Sequence, residues 1–384
     1  VWSAPVLLVP PVMSGDPLLY ADLGWVMASG GNPYVNGLGS FGGPFEPFVD
    51  SFWAGHGVAY PPLALEVNWL AALLGGMHPY WGVVAQRVPA VLGVALIAYF
   101  LPKLAERVGV DRAWAGWLGV LNPITIVHLI GGAHNDTLMA GVVVFAVWLS
   151  LQHVPRVSAG LVLAPVMIGV AMALKQQAGL AVIAAAGLPV AARLARLPHL
   201  QRIAVLGWRT AVAAVVALLT FVAISLVTGL GFGWTLWLSQ MGRARTLTAS
   251  IAIADAFAWT GTDVTGLANT LIAVLAVGGV AALLLLLPER PLSVTAWGSL
   301  MVLFIGQALH PWYVGLSLAL LALLPLSRLA ARWVVFSTIG YLMAYCANNL
   351  YVMPVLPSIA VGVLTGMVAF AVWVGRVDRP TRVG

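Results

Sequence analysis

Five short polar runs interrupt an otherwise apolar chain, and each holds residue types able to do acid–base or anion chemistry. Asp16 and Asp22 stand in GDPLLYADLG, and His134, Asn135 and Asp136 in GGAHNDTLM. Lys175, Gln176 and Gln177 close MALKQQAG, Arg243 and Arg245 stand in MGRARTLTAS, and His310 precedes Pro311, Trp312 and Tyr313. A carboxylate can remove a proton from a hydroxyl, while Lys, Arg and His can hold a phosphate and stabilise its charge as it departs. Ionisable groups beside membrane spans are costly to keep, so their default reading is functional. The mixture suits transfer from a phosphate-linked donor to a hydroxyl. No nucleotide-binding loop of the GxxxxGK type occurs, and no HExxH, paired Cys or clustered His suggests a metal. Convergence of Asp16, Asp22 and Asp136 on a hard cation is the alternative. The neighbouring basic side chains oppose it, so a site without metal or cofactor is expected.

Each polar residue also has a plainer reading. Asp136 heads an apolar run and could serve as a helix N-cap, a role compatible with substrate contact. Lys175 could snorkel to the interface, but it lies on the side where this chain otherwise avoids Lys. Arg87, inside a span, could pair with an outer carboxylate or touch a ligand. Asp50, Asp255 and Asp263 read as solvated loop acids. The 16 Trp and 9 Tyr residues belong mostly to interfacial belts.

The elements that must position these residues are membrane helices. The chain is 61% hydrophobic and 8% charged, with mean hydropathy +0.98, too few charges for a water-soluble surface. A crossing takes about 17–20 apolar residues, and apolar runs, several of them short, fall at 80–101, 113–129, 137–152, 157–174, 178–192, 210–229, 268–288, 293–309, 311–325, 333–353 and 358–375. Residues 1–13 read as the end of one more, giving about 12 spans. The sequence begins without Met in apolar sequence, so further helices are expected upstream. Basic residues alternate between loops: Lys103, Arg107 and Arg112; Arg156; Arg193, Arg196, Arg202 and Arg209; Arg290; Arg328 and Arg332; Arg376, Arg379 and Arg382. This alternation marks a cytoplasmic face and puts 14 of 18 basic residues there. Asp16, Asp22, Glu46, Asp50, Glu66, Asp136, Asp255 and Asp263 and the five polar runs then lie outside. The pI of about 9.8 reflects this topology, not nucleic-acid binding. The expectation is one all-α integral-membrane domain over 1–384. It has two extended outer segments, 14–79 with an interfacial helix near 60–76, and 230–267.

The runs SGDPLLYADLGWVMASGGNPY, YPPLALE, LNPITIVHLIGGAHNDTLMAG, ALKQQAGLAV and HPWYVG, in this order, resemble the polyprenol-phosphomannose-dependent α-(1→6) mannosyltransferases of actinobacterial envelope synthesis, enzymes of the GT-C glycosyltransferase fold. The likeness covers essentially the whole chain, and AYPPLAL and GGAHND are closer to the branch acting on the proximal mannan. Gly15 stands where the family more often has arginine, and His310 where it often has glutamine. The resemblance implies a polyprenyl-phosphate-mannose donor, a mannan or lipomannan acceptor, inversion at the anomeric carbon, and a site on the extracytoplasmic face of the plasma membrane. It makes Asp16 the general base with Asp22 in reserve. Lys175, Arg245, Arg243, His134 and His310 become donor-phosphate ligands, and Asn135, Asp136, Gln176 and Tyr313 substrate contacts. Related lipid-phosphosugar transferases making α-(1→2)-mannosyl or arabinosyl linkages are the nearest alternative. A lipid flippase, which would bind substrate near the midplane, is the more distant one.

Overall fold

A computed structural model describes residues 3–243, 246–305 and 308–377, and those residues form helices and connecting turns. In chain order the helices begin with α1 (Asp16–Ala28), α2 (Pro62–Leu74), α3 (Pro79–Ala85), α4 (Arg87–Val108) and α5 (Arg112–Gly119). A π-helical stretch at Thr125–Gly131 precedes α6 (Asp136–Ser150), α7 (Ala164–Leu174), α8 (Ala181–Gly187), α9 (Ala191–Leu194) and α10 (His199–Val227). There follow α11 (Ala249–Phe257), α12 (Thr265–Leu286), α13 (Pro291–Val302), α14 (Val314–Leu321), α15 (Arg328–Asn349) and α16 (Val355–Val377). The chain divides into two compact units. The first comprises Val1–Met241, Val277–Val302 and Trp312–Leu324; the second comprises Gly242–Ala276, Leu303–Pro311 and Pro325–Gly384.

The protein is a multi-pass membrane protein. Six stretches among the described residues are long and apolar enough to cross a bilayer: Pro79–Val108, Gln176–Leu194, His199–Val227, Thr265–Leu286, Arg328–Asn349 and Val355–Trp373. A seventh forms if Thr125–Gly131 and Asp136–Ser150 count as one, although they meet at 108°. The dozen spans expected from hydropathy are thus not matched by a dozen full-length helices. The difference arises where apolar sequence meets helix-breaking residues. The run 113–129 is cut at Asn122-Pro123. There the Asn122 side chain donates to the Leu118 carbonyl at 2.8 Å and accepts from the Thr125 N–H at 3.0 Å, closing one helix and opening the next. The run 293–309 yields only the 12 residues of α13, and 311–325 the 11 residues Pro311–Leu321. Arg202 and Arg209, assigned to a loop by sequence, lie on α10. At about 1.5 Å per residue, its 29 residues exceed the ~30 Å hydrocarbon thickness.

The segment 14–79 is more structured than a loop. α1 buries eight of its 13 residues and packs on α2, where Gly24 lies against the α2 backbone. α2, also 13 residues, is about 20 Å long, too short for an upright crossing. Tyr20, Leu23, Tyr34, Leu38 and Leu65 form a shared apolar cluster. Trp237, from the second extended segment, donates through its indole N–H to the Tyr34 carbonyl at 2.9 Å.

α6 is the central post of the first unit, with 11 of its 15 residues buried. Small residues let α4 approach it closely, as in membrane helix pairs generally. A Cβ on Gly93 would lie 2.3 Å from the Thr137 carbonyl oxygen, and one on Gly141 would lie 2.6 Å from that of Gly93. Gly93→Ala must therefore push two backbones apart. It is expected to cost about 1–3 kcal/mol, the usual range for overpacking, seen as a lower melting temperature in detergent micelles. An unchanged Tm would show that the α4–α6 contact yields without cost. In the second unit, α15 and α16 pair along their length with aromatic contacts such as Phe336–Phe370, ring centroids 5.2 Å apart.

Candidate active site

Asp16 is the first residue of α1, held there by Pro17 in the first turn and by its own N–H donating to Ser14 Oγ at 3.2 Å. One turn later, the Tyr20 hydroxyl donates to Asp16 Oδ2 at 3.3 Å. The Tyr20 and Tyr60 hydroxyls lie 3.3 Å apart, with their rings edge to face at 5.5 Å. Burial, with nearby negative groups adding to it, pushes both phenols well above their ordinary value, so they act as neutral hydrogen-bonding groups. Tyr60 is fixed in turn by Tyr34, whose hydroxyl donates to the Tyr60 carbonyl at 2.7 Å.

The GGAHND run makes the turn between the π-helical stretch and α6. Ala133 takes φ +50°, and Gly132 admits no side chain, because a Cβ there would meet the His128 carbonyl oxygen at 2.7 Å. The turn sends the fully buried His134 toward Asp16, with Nδ1 3.3 Å from Oδ2. This is ion-pair distance without hydrogen-bond alignment. The His134 ring stacks on Trp312 at 3.6 Å and 10°. π-Helical segments are frequent at functional sites, and this one delivers three polar residues in succession.

Asp136 follows immediately and accepts from Lys175 Nζ at 2.6 Å. Its side chain makes no N-cap bond; Asn135 holds the cap position without a side-chain cap bond of its own. An acidic residue in the first turn still suits the helix dipole. Lys175 occupies an extended break, φ −161° and ψ 130°, between α7 and a 3-10 turn at Gln176–Leu180. Its ammonium also sits 3.9 Å from the centre of the Tyr313 ring, a favourable cation–π distance. Gln176 donates to the Ala59 carbonyl at 3.3 Å, tying this break to the residue before Tyr60. Asn135 is buried, and its Nδ2 has no hydrogen-bond partner among the described residues.

Asp16, His134, Asn135, Asp136, Lys175, Gln176 and Tyr313 are thus linked within one unit. The cluster alternates acid and base: Asp16 with His134, Asp136 with Lys175. Other residues singled out from sequence lie elsewhere. Asp22 is six residues from Asp16, about 240° around the helix. Its Oδ2 accepts from the Gly39 N–H at 2.7 Å, and no partner there is shared with the Asp16 group. His310 belongs to the second unit, 3.2 Å from the Tyr345 hydroxyl. The Arg243 side chain and Arg245 lie outside the described residues. Among the described residues Arg87 makes no ion pair with a carboxylate. Its guanidinium donates to the carbonyls of Leu7, Pro10 and Gly131 at 3.3, 3.1 and 2.9 Å, tying the N-terminal segment to the end of the π-helical stretch. Sequence reasoning missed Tyr20 and Tyr60 and left Trp312 to the aromatic belt. The one available signal for Tyr20 was its i, i+4 spacing from Asp16.

Burial of Asp22 pushes its carboxyl up to about 6, against the Gly39 hydrogen bond, with the Glu46 charge adding to the rise. The folded chain therefore keeps a proton that the unfolded chain releases from about pH 4 upward. Stability falls as pH rises from about 4 to 6 and stays lower above that. The difference from 3.8 to about 6 corresponds to roughly 2–3 kcal/mol. Asp22→Asn retains the acceptor for Gly39 and is expected to flatten the Tm-versus-pH curve over this window while raising Tm at pH 7. A wild-type curve already flat there would refute the assignment.

A sequence profile described as alpha-(1->6)-mannopyranosyltransferase, N-terminal domain, matches residues 1–193, which span every residue of this cluster except Trp312 and Tyr313. The chain belongs to this family. Alpha-(1->6)-mannopyranosyltransferase A of Mycobacterium tuberculosis is 30% identical over 86% of this chain and 65% of its own length. Alpha-(1->6)-mannopyranosyltransferase B of Corynebacterium glutamicum is 26% identical over 92% of this chain and 61% of its own length. The chain thus spans less than two thirds of these curated mannopyranosyltransferases. Among solved structures, ArnT from Cupriavidus metallidurans bound to undecaprenyl phosphate aligns with 96% of this chain and 73% of its own, at 16% identity and a TM-score of 0.49.

Proposed function

We propose that this mannopyranosyltransferase-family chain is an inverting glycosyltransferase of the GT-C type. It moves mannose from β-linked polyprenyl-phosphate mannose to O6 of a growing α-(1→6)-mannan or lipomannan acceptor, at the outer face of the plasma membrane. One observation supports this above others: Asp16, at a helix start, shares a single side-chain cluster with the buried Lys175–Asp136 pair. Asp16 removes the acceptor O6 proton as O6 attacks the anomeric carbon, and the bond to the phosphate oxygen breaks on the opposite side. Lys175 stabilises the departing phosphate. Asn135, Gln176 and Tyr313 contact the sugar. A phosphomonoester leaving group needs less charge neutralisation than a pyrophosphate, so transfer proceeds in EDTA.

The direct test is incubation of purified protein with labelled polyprenyl-phosphomannose and an α-(1→6) dimannoside. Label entering a trimannoside is the expected result. Label retained on the lipid, with movement only between leaflets of a vesicle, would favour a flippase instead. The membrane face is tested by replacing native Cys346 and placing single cysteines at exposed Val35 and Arg196. Impermeant reagent added to intact cells should modify the first and spare the second.

A further inference from the structure

His134 was expected among the phosphate ligands, and its surroundings support a different task. Its ring face is covered by Trp312 at 3.6 Å. Its Nε2 edge lies under the Gly-Gly turn, 2.8 Å from where a Cβ of Gly132 would sit. The side chain is fully buried, and the group facing Nδ1 is Asp16 Oδ2, 3.3 Å away. That oxygen also receives the Tyr20 hydroxyl. The GGAHND turn and Trp312, distant in sequence, therefore meet to hold one imidazole against one carboxylate.

We propose that His134 is a positioning residue for Asp16, not a ligand of the donor phosphate. Nδ1 holds Oδ2, with Trp312 as the backing plate. Stacking stops the ring from tilting, and the absence of a side chain at Gly132 lets it seat. A displacement needs the base aligned on one hydroxyl, and misplacement by about 1 Å can cost ~10²-fold in rate. The Nδ1–Oδ2 contact lies off the hydrogen-bond line, and catalytic contacts of this kind commonly tighten in the complex with substrate. Tyr20 and Tyr60 face the same carboxylate from α1 and from the segment before α2, and both stay neutral. His134 adds a ring nitrogen to this set, with Nδ1 3.3 Å from Oδ2.

This inference rests on the proposed transfer reaction. Its test exploits the two edges of imidazole. Asparagine places its amide nitrogen near the Nδ1 position, while glutamine reaches toward Nε2. His134→Asn should retain kcat within about 5-fold of wild type, whereas His134→Gln should lose ~10–100-fold in kcat with donor KM nearly unchanged. Trp312→Phe, a milder change guarding against misfolding, should lower kcat by a smaller factor, again without moving donor KM. Melting temperatures accompany each measurement. A rise in donor KM at constant kcat would return His134 to the phosphate site and overturn the inference. Equal activity of the Asn and Gln variants would do the same. No transfer by wild-type protein would remove the reaction itself, and this inference with it.

Discussion

Asp16→Asn is expected to lower transfer by ~10²–10⁴-fold, the usual contribution of a general base, while melting temperature and donor affinity stay close to wild type. The substitution changes little in shape. Asparagine can still accept from the Tyr20 hydroxyl, which now donates at 3.3 Å, and α1 keeps its Pro-led first turn. What disappears is the ability to take a proton from O6. Measured kcat with the dimannoside acceptor, alongside donor binding, checks this. Turnover within a few-fold of wild type would move the base elsewhere. Asp136 would be the next candidate, because Asp22 faces the Gly39 turn instead of the cluster.

Lys175→Met has two consequences, which can be separated. A charged hydrogen bond to phosphate is worth roughly 1.5–3 kcal/mol, so donor use should fall by ~10–100-fold, in kcat as well as in apparent affinity. The substitution also leaves Asp136 buried without its 2.6 Å partner, and breaking a buried pair typically costs about 3–5 kcal/mol. The single variant should therefore be both less active and less stable. Lys175→Met combined with Asp136→Leu removes both charges and should recover much of the melting temperature without recovering transfer. If the double variant regained activity with stability, Lys175 would serve only to satisfy Asp136. A phosphate approaching Lys175 must compete with Asp136 for the same ammonium. Asp136→Asn alone is thus a sensitive probe of how tightly the resting site is locked.

Legibility from sequence followed the physics of each signal. The membrane class and the long helices were plain, because some 20 consecutive apolar residues have few soluble alternatives. Span number was not. Hydropathy cannot see that Asn122 ends one helix and starts another, or that α13 stops after 12 residues. The association of Asp16, His134, Asp136 and Lys175 was foreseeable as a group, since each is an ionisable residue that a membrane protein keeps only with a partner. Their pairing was not, for it depends on the turn geometry at Gly132 and Ala133 and on the extended break at Lys175. Arg87 shows the limit most clearly. A guanidinium inside apolar sequence suggested a carboxylate or a ligand, and its terminal nitrogens meet three backbone carbonyls.

The stereochemistry and position of the new bond report most directly on the reaction. Purified protein given β-linked polyprenyl-phosphomannose and an α-(1→6) dimannoside should yield a trimannoside whose new residue, by NMR, is α-configured and attached at O6. A β-linked product would contradict a single displacement with Asp16 as base. An α-linkage to O2 would keep the mechanism but contradict the acceptor.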